Sequence, residues 1–226
     1  KRFKGMEEQL RSGWGALLKP LAWQGALCYG PSPSSKATFT HPASLLKNWN
    51  GLPDPAEAAP AVIKRYLSAY GPATPETFDA WLSRNSNKKS TLRSWFASLG
   101  EQIVEVRVEG ETRYLLAEHE DELAATRPSR ATHLLGAFDQ FVLGPGTKDT
   151  HMLAHEHRPL VSKAAGWIAP VLTQGGRITG VWEMDDGNLV VTPFPGEQAP
   201  PSQVLEDAAA RLAAVHGSVK VTPRVD

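Results

Sequence analysis

The chain has 226 residues, 41% of them hydrophobic and 21% charged, with 24 basic side chains against 24 acidic ones. This is an ordinary globular composition, and zero net charge excludes a strongly basic coating protein while permitting a local basic face. No apolar run approaches the roughly 18 residues of a membrane span, and the single cysteine, Cys28, rules out a disulfide or a multi-thiolate metal site within the chain.

The opening segment, KRFKGMEEQLRSGWG, is charged but has no apolar leader-like stretch. Leu10, Trp14, Leu17 and Leu18 recur at helical spacing, which predicts a helix over 6–18. Pro20 should end or kink it, leaving at most one further turn to Gln24. ALCYG and ATFTH then read as two short strands around the Pro/Ser-rich tip PSPSSK, with Cys28 buried in its strand. Helix followed by hairpin is the second half of a winged helix, placed at 1–47. Lys1 to Thr40 holds six Lys/Arg against two Glu. Arg11, Lys19 and Lys36 are its candidate DNA contacts, with a solvated chain end as the alternative.

Residues 48–60 form a Pro-rich connection, and a complete winged helix is placed at 58–118. Ala61 to Tyr70 is helical, with Val62, Ile63, Tyr66, Leu67 and Tyr70 on one side, and Gly71-Pro72 ends it. Thr74 is a good N-cap before Pro75, and Phe78, Trp81 and Leu82 form the apolar stripe of the next helix. A third helix starts near Asn87, with Leu92, Trp95, Phe96 and Leu99 on its inner face. Its outer face carries Ser90, Arg93, Ser94 and Ala97, with Arg84, Lys88 and Lys89 at or before its start. Small side chains allow close approach to a groove, and cations neutralise phosphates. Arg84, Lys88, Lys89, Ser90, Arg93 and Ser94 are therefore candidate DNA contacts, against the alternative of a merely solvated face. QIVEVRVEG and TRYLLA alternate as two strands around a Glu-Gly-Glu turn, the wing.

A polar link over 118–132 leads into a β-rich domain at 130–226. HLLGAFDQFVLG is read as one strand region. WIAPVLT, RITGVWEM and NLVVTPF are three more, joined by the hairpin signals QGG and DDG. SQVLEDAAARLAAVHG is an amphipathic helix and SVKVTP a closing strand. The expected fold class is α+β: tandem winged-helix units, then a small, mostly antiparallel sheet or partial barrel with one covering helix.

HMLAHEHRPL gathers His151, His155 and His157. His155 and His157 share a side only on a strand, and His151 and His155 only on a helix, so no regular element presents all three to a metal. The segment reads instead as a polar DNA-facing or structural loop, with His157 and Arg158 as contacts. There is no G-x-S-x-G, and Asp185-Asp186 sits in a turn. LTQGGRITG is followed by a strand, the wrong context for a phosphate loop. No catalytic residue, metal or cofactor is assigned.

RSGWGALLKPLAWQGALCYGPS, RYLSAYGPATPETFDAWL, LLGAFDQFVLG and HRPLVSKAAGWIAPVLTQGGRITGVW resemble, in this order, a bacterial winged-helix DNA-binding family. That family includes the AlkZ-type crosslink-unhooking DNA glycosylases, and the resemblance runs from about Gly13 to Phe194. It implies three tandem winged helices arranged as a clamp, a C-terminal β-rich domain, and double-stranded DNA as ligand. Its enzymes excise alkylated bases by hydrolysing the N-glycosidic bond, with a Gln-x-Gln or Gln-x-Asp motif placing the water. None of the seven glutamines here has Gln or Asp two residues on. The chain, which also lacks an initiator Met, is thus expected to be the C-terminal, DNA-gripping part of a longer repair protein. It is expected to be cytoplasmic, as its cysteine usage suits, and monomeric, since no heptad or other dimer helix is visible. The alternatives are a winged-helix transcription regulator, which needs a base-reading helix and usually a dimer, and a structural or protein-interaction module.

Overall fold

The computed structural model describes residues 18–32, 34, 36–185, 188–216 and 223–225. The chain divides into two compact units, Lys1–Ala58 and Ala59–Asp226.

In the first unit α1 (Lys19–Trp23) is a single turn. Pro20 stands in its first turn, where the missing N–H would have had no intrahelical partner anyway. Of the helix expected over 6–18, everything before Leu18 lies outside the described residues. An antiparallel pair follows, β1 (Cys28–Tyr29) with β2 (Phe39–Thr40), and the Tyr29 and Phe39 rings stack 5.3 Å apart. Cys28 is half-buried, not buried as expected. Among the described residues of this unit only Gly25 and Pro42 are buried, so the short hairpin has no core to receive a thiol.

The second unit begins with three helices and a hairpin. Helix α2 (Pro55–Tyr70) is longer than expected and runs through Pro60. The Pro-rich connection therefore ends at Asp54. Asp54 Oδ1 accepts from the Ala56 N–H at 2.8 Å, and its carbonyl accepts from Glu57 and Ala58, which starts the helix early. Helix α3 (Pro75–Ser83) has a reciprocal cap. Thr77 N–H donates to Thr74 Oγ1 at 3.1 Å, and Thr74 N–H donates to Thr77 Oγ1 at 3.0 Å. Helix α4 (Lys89–Ala97) follows. Strands β3 (Ile103–Val108) and β4 (Glu111–Leu116) then pair antiparallel around Glu109-Gly110. Ala73, between α2 and α3, exchanges both backbone hydrogen bonds with Tyr114, at 2.9 and 2.8 Å, which ties the hairpin to the helices.

The core of this part is Ile63, Tyr66, Leu67, Phe78, Leu92, Phe96 and Leu99, close to the stripes read from spacing. Trp81 and Leu82 are corrections. Both are exposed, and although the Trp81 ring packs 5.1 Å from Tyr66, the buried residues of that helix are Phe78 and Asp79. A short helix α5 (Glu120–Ala125) leads out of the hairpin.

The remaining part is a five-stranded sheet in the order β5-β6-β7-β8-β9: β5 (Thr132–Leu135), β6 (Val171–Gln174), β7 (Arg177–Asp185), β8 (Asn188–Pro193) and β9 (Pro223–Val225). The first four are antiparallel neighbours, whereas β9 runs parallel to β8. The Gly175-Gly176 turn between β6 and β7 takes φ values of 59° and 82°, which glycine adopts without strain. Helix α8 (Ser202–His216) covers one face, packing Leu205 and Ala209 on Leu172, Trp182, Leu189 and Val191. The rest of SVKVTP before Pro223, and Asp186-Gly187 of the DDG turn, lie outside the described residues.

HLLGAFDQFVLG is not one strand. Phe138 takes a left-handed φ of 59°, and Asp139 then caps α6 (Gln140–Leu143), its carboxylate accepting from Phe141 N–H at 2.8 Å. Val142, Leu153 and Val161, the last in α7 (Arg158–Val161), pack with Val171, Ile178 and Phe194 on the other sheet face.

The helical part and the sheet meet where α2 packs on α6. Tyr66 Oη donates to the Gly144 carbonyl at 3.1 Å and Tyr70 Oη to Gln140 Oε1 at 3.2 Å. A Cβ on Gly144 would stand 2.1 Å from the Tyr70 ring. Gly144→Ala should therefore displace that ring and destabilise the protein by about 1–3 kcal/mol. Thermal unfolding checks this, and an unchanged midpoint would show that the ring moves aside freely.

Candidate nucleic-acid interface

Leu92 and Phe96 turn α4 inward, which leaves its opposite face to solvent. Lys89, Ser90, Arg93, Ser94 and Ala97 are all exposed, as are Lys88 and Arg84 ahead of the helix. The structure thus brings together six of the predicted contacts. The side chains of Arg84, Lys88, Lys89 and Arg93 form no hydrogen bond or ion pair among the described residues. The first turn of α4 has no side-chain cap, so its N–H groups face outward beside two lysines. That combination favours an anion. Arg93 and Ala97 also line a cleft of about 340 Å³ between α4 and the hairpin, shared with Glu105 and Tyr114.

A polar knot aims this face. Arg84 and Asn85 both take left-handed φ, 57° and 64°, and reverse the chain between α3 and α4. The buried Asp79 carboxylate accepts from Ser83 Oγ and, at 2.7 Å, from Asn87 Nδ2. Ser83 Oγ accepts in turn from Ser86 N–H at 3.0 Å. Both ends of the turn are therefore held by one carboxylate.

The other predicted contacts are scattered. Arg11 lies outside the described residues. Lys19 and Lys36 are exposed in the first unit. His157 is a correction: it is buried, with its ring 4.6 Å from that of Phe194, not exposed on a polar loop as expected. The turn before α7 points it into the sheet face, and sequence spacing carried no sign of that. Arg158 is half-buried at a cleft edge. Among the described residues no three His, Cys, Asp or Glu side chains converge as metal ligands would. His155 points to solvent, and His151 faces an arginine.

That arginine, Arg113 of β4, is the residue that sequence reasoning missed. Its side chain is 10% exposed. Nε donates to Glu111 Oε2 at 2.8 Å, Nη1 to Asp149 Oδ2 at 3.1 Å, and Nη2 to His151 Nδ1 at 2.8 Å. The Pro72 carbonyl lies 3.4 Å from Nη1. With Nδ1 accepting, the ring proton of His151 sits on Nε2, which is 3.5 Å from Glu109 at the hairpin turn. Asp149 Oδ1 accepts from the His151 backbone N–H at 2.9 Å. The cluster forms the wall of an open cleft of about 800 Å³, whose other walls carry Glu76, Arg84, Lys148 and Arg158. Nothing in the sequence signals this grouping, because Arg113 and Asp149 are 36 residues apart.

The sequence profile of the family described as DNA glycosylase AlkZ-like matches residues 3–215. The interstrand DNA cross-link repair glycosylase of Streptomyces sahachiroi is 55% identical over 226 residues, all of this chain and 61% of that protein. The solved structure of Streptomyces sahachiroi DNA glycosylase AlkZ aligns with a TM-score of 0.92 at 55% identity, again over all of this chain and 61% of that one. The chain thus spans about three fifths of the relatives' length.

Burial alone would raise the Asp149 carboxyl, but hydrogen bonds and charge from Arg113 and the His151 N–H outweigh it and hold it below its ordinary value of 3.8. The shift of Arg113 is upward, in keeping with a charged pair: burial opposes the charge, and the two carboxylates more than offset it. A carboxylate depressed in the folded state stabilises above the unfolded value, and that stability is lost as the pH falls through the folded one. Asp149→Asn should cost about 3 kcal/mol at pH 7, the low end for breaking a buried pair because Glu111 and Pro72 remain on Arg113. It should also flatten the loss of stability between about pH 5 and pH 2. Chemical denaturation across that range is the check, and parallel pH profiles for the two proteins would refute the pairing.

Proposed function

Because this chain belongs to the AlkZ-like DNA glycosylase family, we propose that it grips double-stranded DNA for a repair enzyme acting on alkylated or cross-linked bases. The observation that carries this reading is the outer face of α4. Lys88, Lys89 and Arg93 are exposed and unpaired among the described residues, interleaved with Ser90, Ser94 and Ala97, at a helix start whose N–H groups no side chain caps. Cations of this kind contact backbone phosphates, and small side chains between them let the helix approach a groove. Arg84 and Arg158 extend the same role in this unit, and Lys36 and Lys19 act in the first unit.

The face suits grip more than sequence reading. Arg93 is the one long side chain well placed on the face for a base edge, whereas Lys88 and Lys89 sit at the helix start. Hydrolysis of the glycosidic bond is assigned to residues other than these. None of the glutamines here precedes Gln or Asp by two positions, and the buried Arg113 cluster is a paired network, not a nucleophile with its base.

The charge-removing pair Lys89→Ala and Arg93→Ala tests the assignment. Duplex affinity should fall on the order of tenfold, about 1.4 kcal/mol, for every sequence tried. The slope of log K against log salt should become shallower by about 2, one phosphate contact per cation. Fluorescence anisotropy over a salt series measures both, and an unaltered slope would remove α4 from the interface.

A further inference from the structure

The segment between α6 and α7 alternates buried anchors with polar side chains. Leu153 and His157 are buried, and Asp149 is held by Arg113. Between these anchors Thr147, Lys148, Thr150 and Arg158 line a second cleft of about 310 Å³, which adjoins the larger one and shares those four residues with it. The larger cleft carries Glu76, Glu109 and Glu111 among its cations. The smaller has no carboxylate in its lining, only Lys148, Arg158, two threonines, Leu153 and His155. Asp149 is adjacent in sequence, but its oxygens are taken by Arg113 and His151. Arg158 Nε is buried and has no hydrogen-bond partner. Arg158 is itself half-buried at the edge of this cleft, and a guanidinium suits the oxygens of a phosphate.

We infer that the cleft formed by Thr147, Lys148, Thr150 and Arg158 is an anion site for a single phosphate group, and that the group is a backbone phosphodiester of bound DNA. Two cations supply the charge, the guanidinium supplies oriented donors, and the threonine hydroxyls complete the oxygen shell. The phosphodiester source rests on the reading of this chain as a DNA grip, whereas the anion site stands on the cleft alone. The site is separate from the α4 face, so it adds a second point of attachment within the same unit. Register on a duplex is set by phosphate contacts of this kind, not by base contacts.

Two measurements on the full chain decide it. In the first, inorganic phosphate is titrated at low ionic strength while backbone amide shifts are followed. Saturable shifts are expected at Thr147, Thr150 and Arg158 in the wild-type chain, and their loss in K148Q/R158Q. In the second, duplex affinity is measured over a salt series. The double variant should bind about tenfold more weakly, with the salt slope reduced by about 2, and K148Q alone, an exposed change that spares the fold, should reduce it by about 1. Absence of saturable shifts at the cleft with phosphate overturns the site. Shifts with phosphate but unchanged duplex affinity and slope in the variants overturn the phosphodiester source and leave a free phosphate ester as ligand. A wild-type chain that binds no duplex overturns the DNA-gripping function, with the phosphate titration still deciding the cleft.

Discussion

A guanidinium inside a protein is tolerable only if its charge and its donors are answered there, and Arg113 meets that condition with acceptors from three segments. Glu111 comes from its own strand, the Pro72 carbonyl from the turn between α2 and α3, and Asp149 and His151 from the loop beyond α6. Asp149 and the Pro72 carbonyl share Nη1, Glu111 holds Nε and His151 holds Nη2, so one buried charge ties the three segments together. The hairpin is thereby locked to the loop that carries Thr147, Lys148 and Thr150. Tyr66 and Tyr70 make the second tie, against Gly144 and Gln140. Two sets of hydrogen bonds thus hold the helical part on the sheet beside the clefts.

The exposed cations of α4 depend on a second buried charge. Asp79 gathers Ser83 and Asn87 at the two ends of the turn, and that turn sets how α4 leaves α3. Burial of Leu92 and Phe96 then decides which way the helix faces. Lys89, Ser90, Arg93 and Ser94 point outward as a consequence, and their side chains form no hydrogen bond or ion pair among the described residues. Where side chains are free of packing duties, charge can be placed for a partner. This is the physical basis for reading α4 as a grip.

The sheet serves the loop between α6 and α7 in the same way. Val142, Leu153 and Val161 drop into one face of it, with His157 laid against Phe194. These anchors pin a segment with little regular structure at short intervals, so the polar side chains between them have defined positions without belonging to a long helix or strand. On the opposite face α8 is packed by Leu205 and Ala209 and tied to β5 by Arg211, whose Nη2 donates to the Thr132 carbonyl at 2.9 Å.

Local pattern alone was enough to read the amphipathic stripe of α4, the Thr74 cap, the Gly-containing hairpin turns and the α8 helix. Each depends on residues within a few positions of one another, where periodicity and turn chemistry act directly. The order of four motifs was likewise enough to place the chain in its family. Local signals failed where a neighbour in space, or a capping side chain, overrode propensity. Asp54 starts α2 early enough to carry it through Pro60, and Asp139 caps a helix out of a run that reads as strand. His157 looks like a surface residue in sequence and is buried because the turn into α7 faces it to Phe194. The grouping of Arg113 with Asp149 and His151, and of Lys148 with Arg158, was decided by tertiary structure alone. Long-range partners are chosen by how separate layers pack, and no spacing within a single element records that choice.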